Sequence, residues 1–409
     1  MLNKIYKFKN KKDLTKLIIN DCRSFLSFIL QKIKKFLDFQ KVVFFIDENL
    51  KYKEEYKDFL KSYEDDKNEK DTTILYLKIN EKEKNFFKLE NIFSIFLKNN
   101  IDKKTLIIII GGGAFSDTIS FASSIYKRGI SFSLVPTTFL SMIDASFGGK
   151  NGVNLMGVKN LLGTVNQPLA IFINPYFIKT LRYVDFLSGF AEFIKYLLLN
   201  NKLYKRFTGE FSKFLNSSKL LTSKFTYDTF PCDQLKEFFI QNPKFFLYAI
   251  DIKYKFIKDD IYDFNKRHIL NLGHTVSHPL EIVFELNHGI ALYIGIILEL
   301  QIISKICKNA ENAIKKAYNL YDNFKLPIDI KQALKIEKNI TYDKWLLEKR
   351  LDGKKVIEKI FDLIRQDKKN FQQYYNLPVI LNSNKIILKK IPFETFDYQF
   401  NSVLNEMLS

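Results

Sequence analysis

Cysteine is scarce in this chain of 409 residues: Cys22, Cys232 and Cys307 lie far apart and form no CxxC. That argues against a disulfide framework or a thiolate metal site and suits a reducing cytoplasm. Long apolar runs are also missing. The longest, Gly289–Ile306, follows directly on His288 and contains Glu299 and Gln301, so it reads as a buried helix and no membrane span is expected. No signal peptide is evident, because Cys22–Leu37 is broken by lysines and lacks a small-residue cleavage site. Nor is there a dense basic block. The lysines behind the net charge of +19 are spread along the whole chain, so no nucleic-acid partner is expected. Gly, Pro and Ala are few while Lys, Ile, Asn, Phe and Tyr are over-used, as an AT-rich genome produces. A basic protein can still favour an anionic small substrate.

What is present is enough chain for two domains. Residues 1–40 read as amphipathic helix with lysines on the polar face. Lys41–Ile46 (KVVFFI) predicts a buried strand ending in Asp47-Glu48-Asn49. A carboxylate just past a strand commonly holds a ribose hydroxyl, although Asp and Asn also start turns. Thr72–Ile79 predicts a strand and Phe86–Leu97 a helix. Thr105–Ile110 (TLIIII) has the continuous apolar character of a parallel strand covered on both faces. It runs into Gly111, Gly112 and Gly113 and then a helix, an arrangement that turns backbone N–H groups toward a pyrophosphate. The spacing is not GxGxxG, and a plain tight turn is the competing reading. Ile130–Val135 ends at Pro136-Thr137-Thr138, whose hydroxyls can bond a nucleotide or cap the next helix. A polar, glycine-rich loop follows, presenting Asp144, Lys150 and Asn160 to a small polyhydroxy or anionic ligand. Ala170–Ile173 is the last strand of this half.

From about Pro175 the periodicity becomes helical. Leu187–Leu199 predicts a buried helix with Glu192 and Lys195 on one face, and Leu247–Asp260 a helix carrying Lys253. Beyond 308 the pattern is helical and Lys-rich, closing from about 384 with a strand and a helix. All four histidines, His268, His274, His278 and His288, fall between Arg267 and Gly289. Imidazole is the commonest neutral metal ligand and the usual proton carrier near neutral pH. His274 and His278 share a helix face at i and i+4, and His288 lies beyond that helix's end. Two imidazoles and one carboxylate with an open position form a usual catalytic zinc shell. Glu192, isolated in its apolar helix, is the best candidate carboxylate, leaving a third histidine for proton transfer or substrate. His268 reads as an ordinary bystander.

Taken together, these segments resemble the 3-dehydroquinate synthases of the sugar-phosphate cyclase superfamily. The carrying text is GGGAFSD at 111–117, KRGI at 127–130, PTT at 136–138, DASFGGKNGVN at 144–154, KNLLGTVNQP at 159–168, SGFAEFIKY at 188–196, RHILNLGHTVSH at 267–278, NHG at 287–289 and DKKN at 367–370. The resemblance implies an N-terminal α/β, Rossmann-like NAD-binding domain over 1–175. An all-α domain over 176–409 would bind metal and substrate. By that resemblance Glu192, His274 and His288 are the metal ligands, for Zn2+ with Co2+ as the other option. Asp47, Asn49, Glu81, Lys84, Gly111, Gly112, Gly113, Asp117, Thr137, Thr138, Lys150, Lys159 and Thr180 meet NAD. Arg128, Asp144, Lys150, Asn160, Lys195, Lys253, Arg267, Asn271 and His278 meet the sugar-phosphate substrate, with Lys369 or Lys368. Lys150, Lys195, Lys253, His278 and Glu192 form the catalytic group. A cytoplasmic homodimer is expected. The implied reaction turns 3-deoxy-D-arabino-heptulosonate 7-phosphate into 3-dehydroquinate and phosphate, with NAD used catalytically.

Three departures stand out. Ser116 occupies a position where Gly is common. Pro279 follows His278 where Ala is usual, which predicts a bend in that helix. Ile290 stands where the family has Glu after His-Gly, which bears on the surroundings of His288, such as a hydrogen bond orienting its ring. The competing readings are a sister cyclase (2-deoxy-scyllo-inosose or valiolone synthase), a metal-dependent polyol dehydrogenase of related fold, and a non-catalytic basic nucleic-acid-binding protein. Arg267, Asn271 and Asn160 together favour a substrate bearing a carboxylate.

Overall fold

The structure, a computed structural model, describes residues 1–8, 14–20, 28–29, 31–32, 39–51, 56, 72–217, 232–366 and 373–408. Cys22, Lys368 and Lys369 lie outside them. The chain forms two compact units, Met1–Arg182 with Lys236–Tyr262, and Tyr183–Leu235 with Asp263–Ser409.

The first unit contains β1 (Leu2–Lys7), β2 (Leu14–Ile19), β3 (Lys41–Asp47), β4 (Thr72–Leu77), α1 (Lys88–Lys98), β5 (Thr105–Gly111), α2 (Gly113–Ile125), β6 (Ser131–Pro136), β7 (Lys150–Leu155), β8 (Val158–Val165) and β9 (Ala170–Ile173). Seven strands pair in the order β1-β2-β9-β6-β5-β3-β4. All neighbours are parallel except β1, which runs antiparallel to β2. Every residue of β5 is buried, as its unbroken apolar run requires in a sheet covered on both faces. The chain goes outward from β3 to β4, then returns to β5 on the other side of β3. The carboxyl ends of β3 and β5 therefore flank the switch point, where open α/β sheets bind ligands.

Two expectations for this half are corrected. Residues 2–7 and 14–19 are strands, not amphipathic helix. Residues 2–7 pair antiparallel with 14–19, and 14–19 pair in turn with a strand far along the chain, Lys16 opposite Ala170 and Ile19 opposite Ile173, a pairing that leaves no trace in local periodicity. The glycine-rich stretch after Asp144 is largely a hairpin, β7 against β8, not a loop. Gly152 and Gly163 face one another there. A Cβ on Gly152 would fall 2.3 Å from the Leu162 carbonyl oxygen, so the two strands approach more closely than side chains permit.

The second unit begins with α3 (Tyr183–Leu199) and α4 (Asn201–Ser217). Helix α5 (Cys232–Gln241) then leads to α6 (Lys244–Ile257), which belongs to the first unit. Hence the chain is not cut once near 175. Helix α6 is held to β1 and its flank: Asp251 accepts from Lys4 Nζ at 2.6 Å and from the Tyr6 hydroxyl at 2.7 Å, and Tyr254 donates to the Lys7 carbonyl at 2.5 Å. The second unit resumes with α7 (His274–Phe284), α8 (His288–Ile306), α9 (Glu311–Phe324), α10 (Ile330–Lys338), α11 (Tyr342–Lys349) and α12 (Gly353–Gln366). It closes with β10 (Tyr374–Ile380), β11 (Ile386–Pro392) and α13 (Phe393–Leu408). The β10–β11 hairpin pairs antiparallel, a small ribbon in an otherwise helical unit, and β10 falls where the pattern read as helix.

Helix α8 is apolar all round and largely buried, which makes it the central element of this unit. It alone among the described residues has the length and apolarity of a membrane span, and most of it is covered by protein. Two of its glycines explain how α3, α7 and α8 come so close. A Cβ on Gly289 would lie 2.1 Å from Ser188 Cα, and one on Gly295 would lie 2.3 Å from the Gly273 carbonyl oxygen. Neither position has room for a side chain.

Candidate functional site

The three helices bring together Glu192 from α3, His274 at the start of α7 and His288 at the start of α8. Glu192 Oε1 lies 3.3 Å from His274 Nε2 and 3.2 Å from His288 Nε2. Their donor atoms all fall within 4.8 Å of one another. The other Glu192 oxygen, Oε2, is paired with the Lys195 ammonium one helical turn on. Only 2% of each side chain of this pair is exposed, and so buried a charge persists only when paired or ligating. Burial alone would raise the Glu192 carboxyl. The Lys195 charge and hydrogen bonds from both histidines outweigh it and hold the carboxyl well below its usual range.

The two rings are supported differently. His274 is held by burial below the usual imidazole range against the pull of Glu192, and its Nδ1 lies 3.2 Å from the Leu272 carbonyl oxygen. His288 has its Nδ1 2.7 Å from Glu281 Oε1. Burial acts to lower it, but Glu192 and Glu281 more than compensate and carry it up to about 10. With Nδ1 donating to Glu281, a neutral His288 presents its Nε2 lone pair toward Glu192 and His274. Ile290, where the family has Glu, is fully buried. The hydrogen bond to the His288 ring therefore comes from Glu281, seven residues before it. The sequence reading missed Glu281. Its signal was its place on α7, three residues after His278 and so on the same side of the helix.

His278 is exposed, with its ring centroid 5.3 Å from that of His274 and 6.4 Å from that of His288. Helix α7 runs from His274 to Phe284 with Pro279 inside it. His268 Nε2–H donates to the Asp263 carbonyl, 2.7 Å away, which is a local tie. Arg267 is buried and Asn271 half-buried on the turn before α7.

In the first unit the candidate nucleotide residues lie at strand ends and nearby turns. Asp47 ends β3 and accepts from the backbone and side-chain N–H groups of Asn49, at 3.0 and 2.9 Å. Burial raises its carboxyl despite those bonds. Gly111 ends β5, and Gly112 is the cap of α2 with no side-chain bond to the helix. A Cβ on Gly111 would strike the Phe115 ring at 2.5 Å, so packing by itself also calls for glycine there. Thr137 is buried, its N–H donating to the Gly111 carbonyl at 3.0 Å. Thr138 caps the following turn through Ser141, Oγ to Oγ at 2.7 Å. Lys84 is buried and pairs with Asp117 on α2 at 2.5 Å. Burial raises Asp117, with Lys84 acting in the opposite sense. Glu81 accepts from Asn154 at 3.2 Å, and Asn154 in turn accepts from the Asn160 N–H at 2.8 Å. Thr180 is occupied locally, donating to the Phe177 carbonyl at 2.9 Å.

The same unit joins two candidates that are distant in sequence. Lys253 on α6 reaches Asp144, 3.0 Å from Oδ1 and 2.7 Å from the carbonyl oxygen. Lys150, Lys159 and Asn160 are exposed on the β7–β8 hairpin, and Arg128 is exposed after α2.

A nitrogen-nitrogen-oxygen donor set that converges this closely, backed by a buried carboxylate, fits a divalent transition metal. A β3–β5 switch point with a carboxylate and a glycine turn fits a dinucleotide. These features make an α/β-plus-helical chain with a candidate metal centre and a candidate nucleotide site, and solved structures share the fold. A 2-deoxy-scyllo-inosose synthase complexed with carbaglucose-6-phosphate, NAD+ and Co2+ superposes with a TM-score of 0.69 at 18% identity, over 98% of this chain and 100% of that one. The 2-epi-5-epi-valiolone synthase of Streptomyces hygroscopicus subsp. jinggangensis, with NAD+ and Zn2+ bound, gives 0.71 at 18% identity over 95% and 96%. Residues 74–188 match the family model described as 3-dehydroquinate synthase N-terminal, and 189–370 match 3-dehydroquinate synthase C-terminal. A 3-dehydroquinate synthase of Pelagibacter ubique is 31% identical over 91% of this chain and 90% of its own length. The chain belongs to the 3-dehydroquinate synthase family, enzymes of the shikimate pathway.

Proposed function

We propose that the enzyme converts 3-deoxy-D-arabino-heptulosonate 7-phosphate to 3-dehydroquinate and phosphate, with Glu192, His274 and His288 holding one divalent metal and the first unit binding NAD. The convergence of the His274 and His288 rings on Glu192 Oε1 carries the reading. Zinc is the metal of choice for this donor set, and cobalt suits it too. When bound, NAD supplies a hydride acceptor for the C5 hydroxyl that later returns the hydride, and the metal supplies a Lewis acid at the C5 oxygen.

The chain's own residues then have three tasks. Lys195 keeps Glu192 ionised and ready to ligate. Lys150, Lys253, Arg128 and Arg267, with Lys369, supply cations for a phosphate and a carboxylate, while Asp144, Asn160 and Asn271 supply polar contacts to the sugar. His278, exposed beside the two ligating rings, is the group suited to carry a proton. In the first unit Asp47 and Asn49 suit a ribose, and the Gly111–Gly113 turn a pyrophosphate. Glu81, Lys84, Asp117, Thr137, Thr138, Lys159 and Thr180 complete that set. Three cysteines far apart in the sequence with no CxxC support a reducing compartment, the cytoplasm, and family resemblance supports a homodimer.

The test supplies purified protein with the heptulosonate phosphate, NAD and zinc, and follows phosphate and NADH together. Phosphate is expected to appear without accumulation of NADH. Accumulating NADH without phosphate would make the chain a polyol dehydrogenase, and folded, metal-loaded protein that releases no phosphate would refute the activity.

A further inference from the structure

Glu299 is a buried acid that none of the roles above uses. It sits in the middle of α8, whose other inward residues are apolar, and none of its surface is exposed. A carboxylate in such surroundings is costly unless its oxygens are satisfied. Here they are, entirely by the start of α7. Oε2 accepts from the Gly273 N–H at 2.8 Å and Oε1 from the Thr275 N–H at 2.9 Å. The Val276 N–H and the Thr275 side chain also favour its charged form. These are the amides that a helix normally leaves to an N-cap side chain. Helix α7 has none of its own, because its cap residue is Gly273, held at φ +83°. A carboxylate from another helix takes the place of the cap and also meets the positive end of the α7 dipole.

His274 lies between the two clamped amides, as the first residue of α7. Its backbone is thus tied on both sides to α8, the helix that starts with His288. We propose that Glu299 is a positioning residue for the metal site, fixing the first turn of α7 so that His274 Nε2 points at Glu192. This rests on the reading of His274 as a ligand. Glu299 itself is no ligand, since its oxygens are consumed by α7.

The experiment measures Co2+ binding to the full, metal-stripped chain by titration, the visible absorption spectrum of the Co2+ form, and thermal unfolding. It compares the parent with Glu299→Gln, Glu299→Leu and His274→Ala. Gln keeps one acceptor and the shape, whereas Leu keeps only the bulk. Loss of an outer contact of this kind typically weakens metal binding about 10- to 100-fold. Glu299→Gln is expected to bind Co2+ about 10-fold more weakly with a shifted spectrum, and Glu299→Leu more weakly still. Should the Leu variant fail to fold, the Gln variant decides alone. Parental affinity and spectrum in the folded Glu299 variants, with only a lower unfolding temperature, would reduce Glu299 to a plain helix cap and overturn the proposal. Parental binding by His274→Ala would instead sink the ligand assignment, and the proposal with it.

Discussion

His274 and His288 reach the same carboxylate with different support, and that difference predicts how each fails. His288 depends on a side chain, Glu281, for the orientation of its ring, while His274 has only a carbonyl at 3.2 Å and the position of its own backbone. Glu281→Leu leaves Nδ1 of His288 without its acceptor, so the ring loses both its tautomer preference and its aim. Zinc affinity of the stripped protein is expected to fall about 10- to 100-fold. Glu281→Gln retains an acceptor oxygen and should recover most of it. Equal affinities for the Leu variant and the parent, measured with a competing chelator, would show that Glu281 does not orient the ring. At this scale the sequence was informative for Glu192, because a carboxylate alone in an apolar helix has few explanations. It offered only a spacing for Glu281, three residues after His278, and did not say what Glu299 faces, because which group an acid meets depends on helix rotation and neighbours.

Among elements, the meeting of α3, α7 and α8 depends on glycines as much as on ligands. Gly289 directly follows His288, and its N–H lies 3.2 Å from the Ser188 hydroxyl, so α8 starts against the α3 backbone. A methyl there would collide with Ser188. Gly289→Ala is therefore expected to destabilise the fold by about 1–3 kcal/mol, the usual cost of overfilling a packed contact, and to displace His288 from Glu192. Thermal unfolding with a metal titration checks both, and a variant with parental stability and affinity would show that the helices can part there. The NHG motif is legible as text, but the reason for its glycine is a neighbour about a hundred positions away. Pro279 teaches the reverse. Its missing amide lowers helix propensity, yet α7 is clamped at its start by Glu299 and packed along its length, and tertiary contacts override the local preference.

For the whole molecule, the buried Glu192–Lys195 pair implies that the helical unit does not need its metal to fold, since the carboxylate already has a countercharge. Chelation is expected to abolish phosphate release while leaving the far-ultraviolet circular dichroism unchanged, with activity restored by zinc or cobalt. Collapse of the helical signal on chelation would mean that the metal is part of the folding free energy. The sequence by itself determined the apolar parallel strands, the buried helices, the clustering of histidines and the motifs that place the chain in its family. Each of these is a local pattern, written in residue type and spacing. Only the tertiary structure decided that residues 2–7 and 14–19 extend the sheet, that α6 returns to the first unit and carries Lys253 to Asp144, and that Glu281 and Glu299 stand behind His288 and the start of α7. All of these are contacts between residues far apart in the chain or on different helices, set by packing and buried hydrogen bonding, and periodicity carries no record of them.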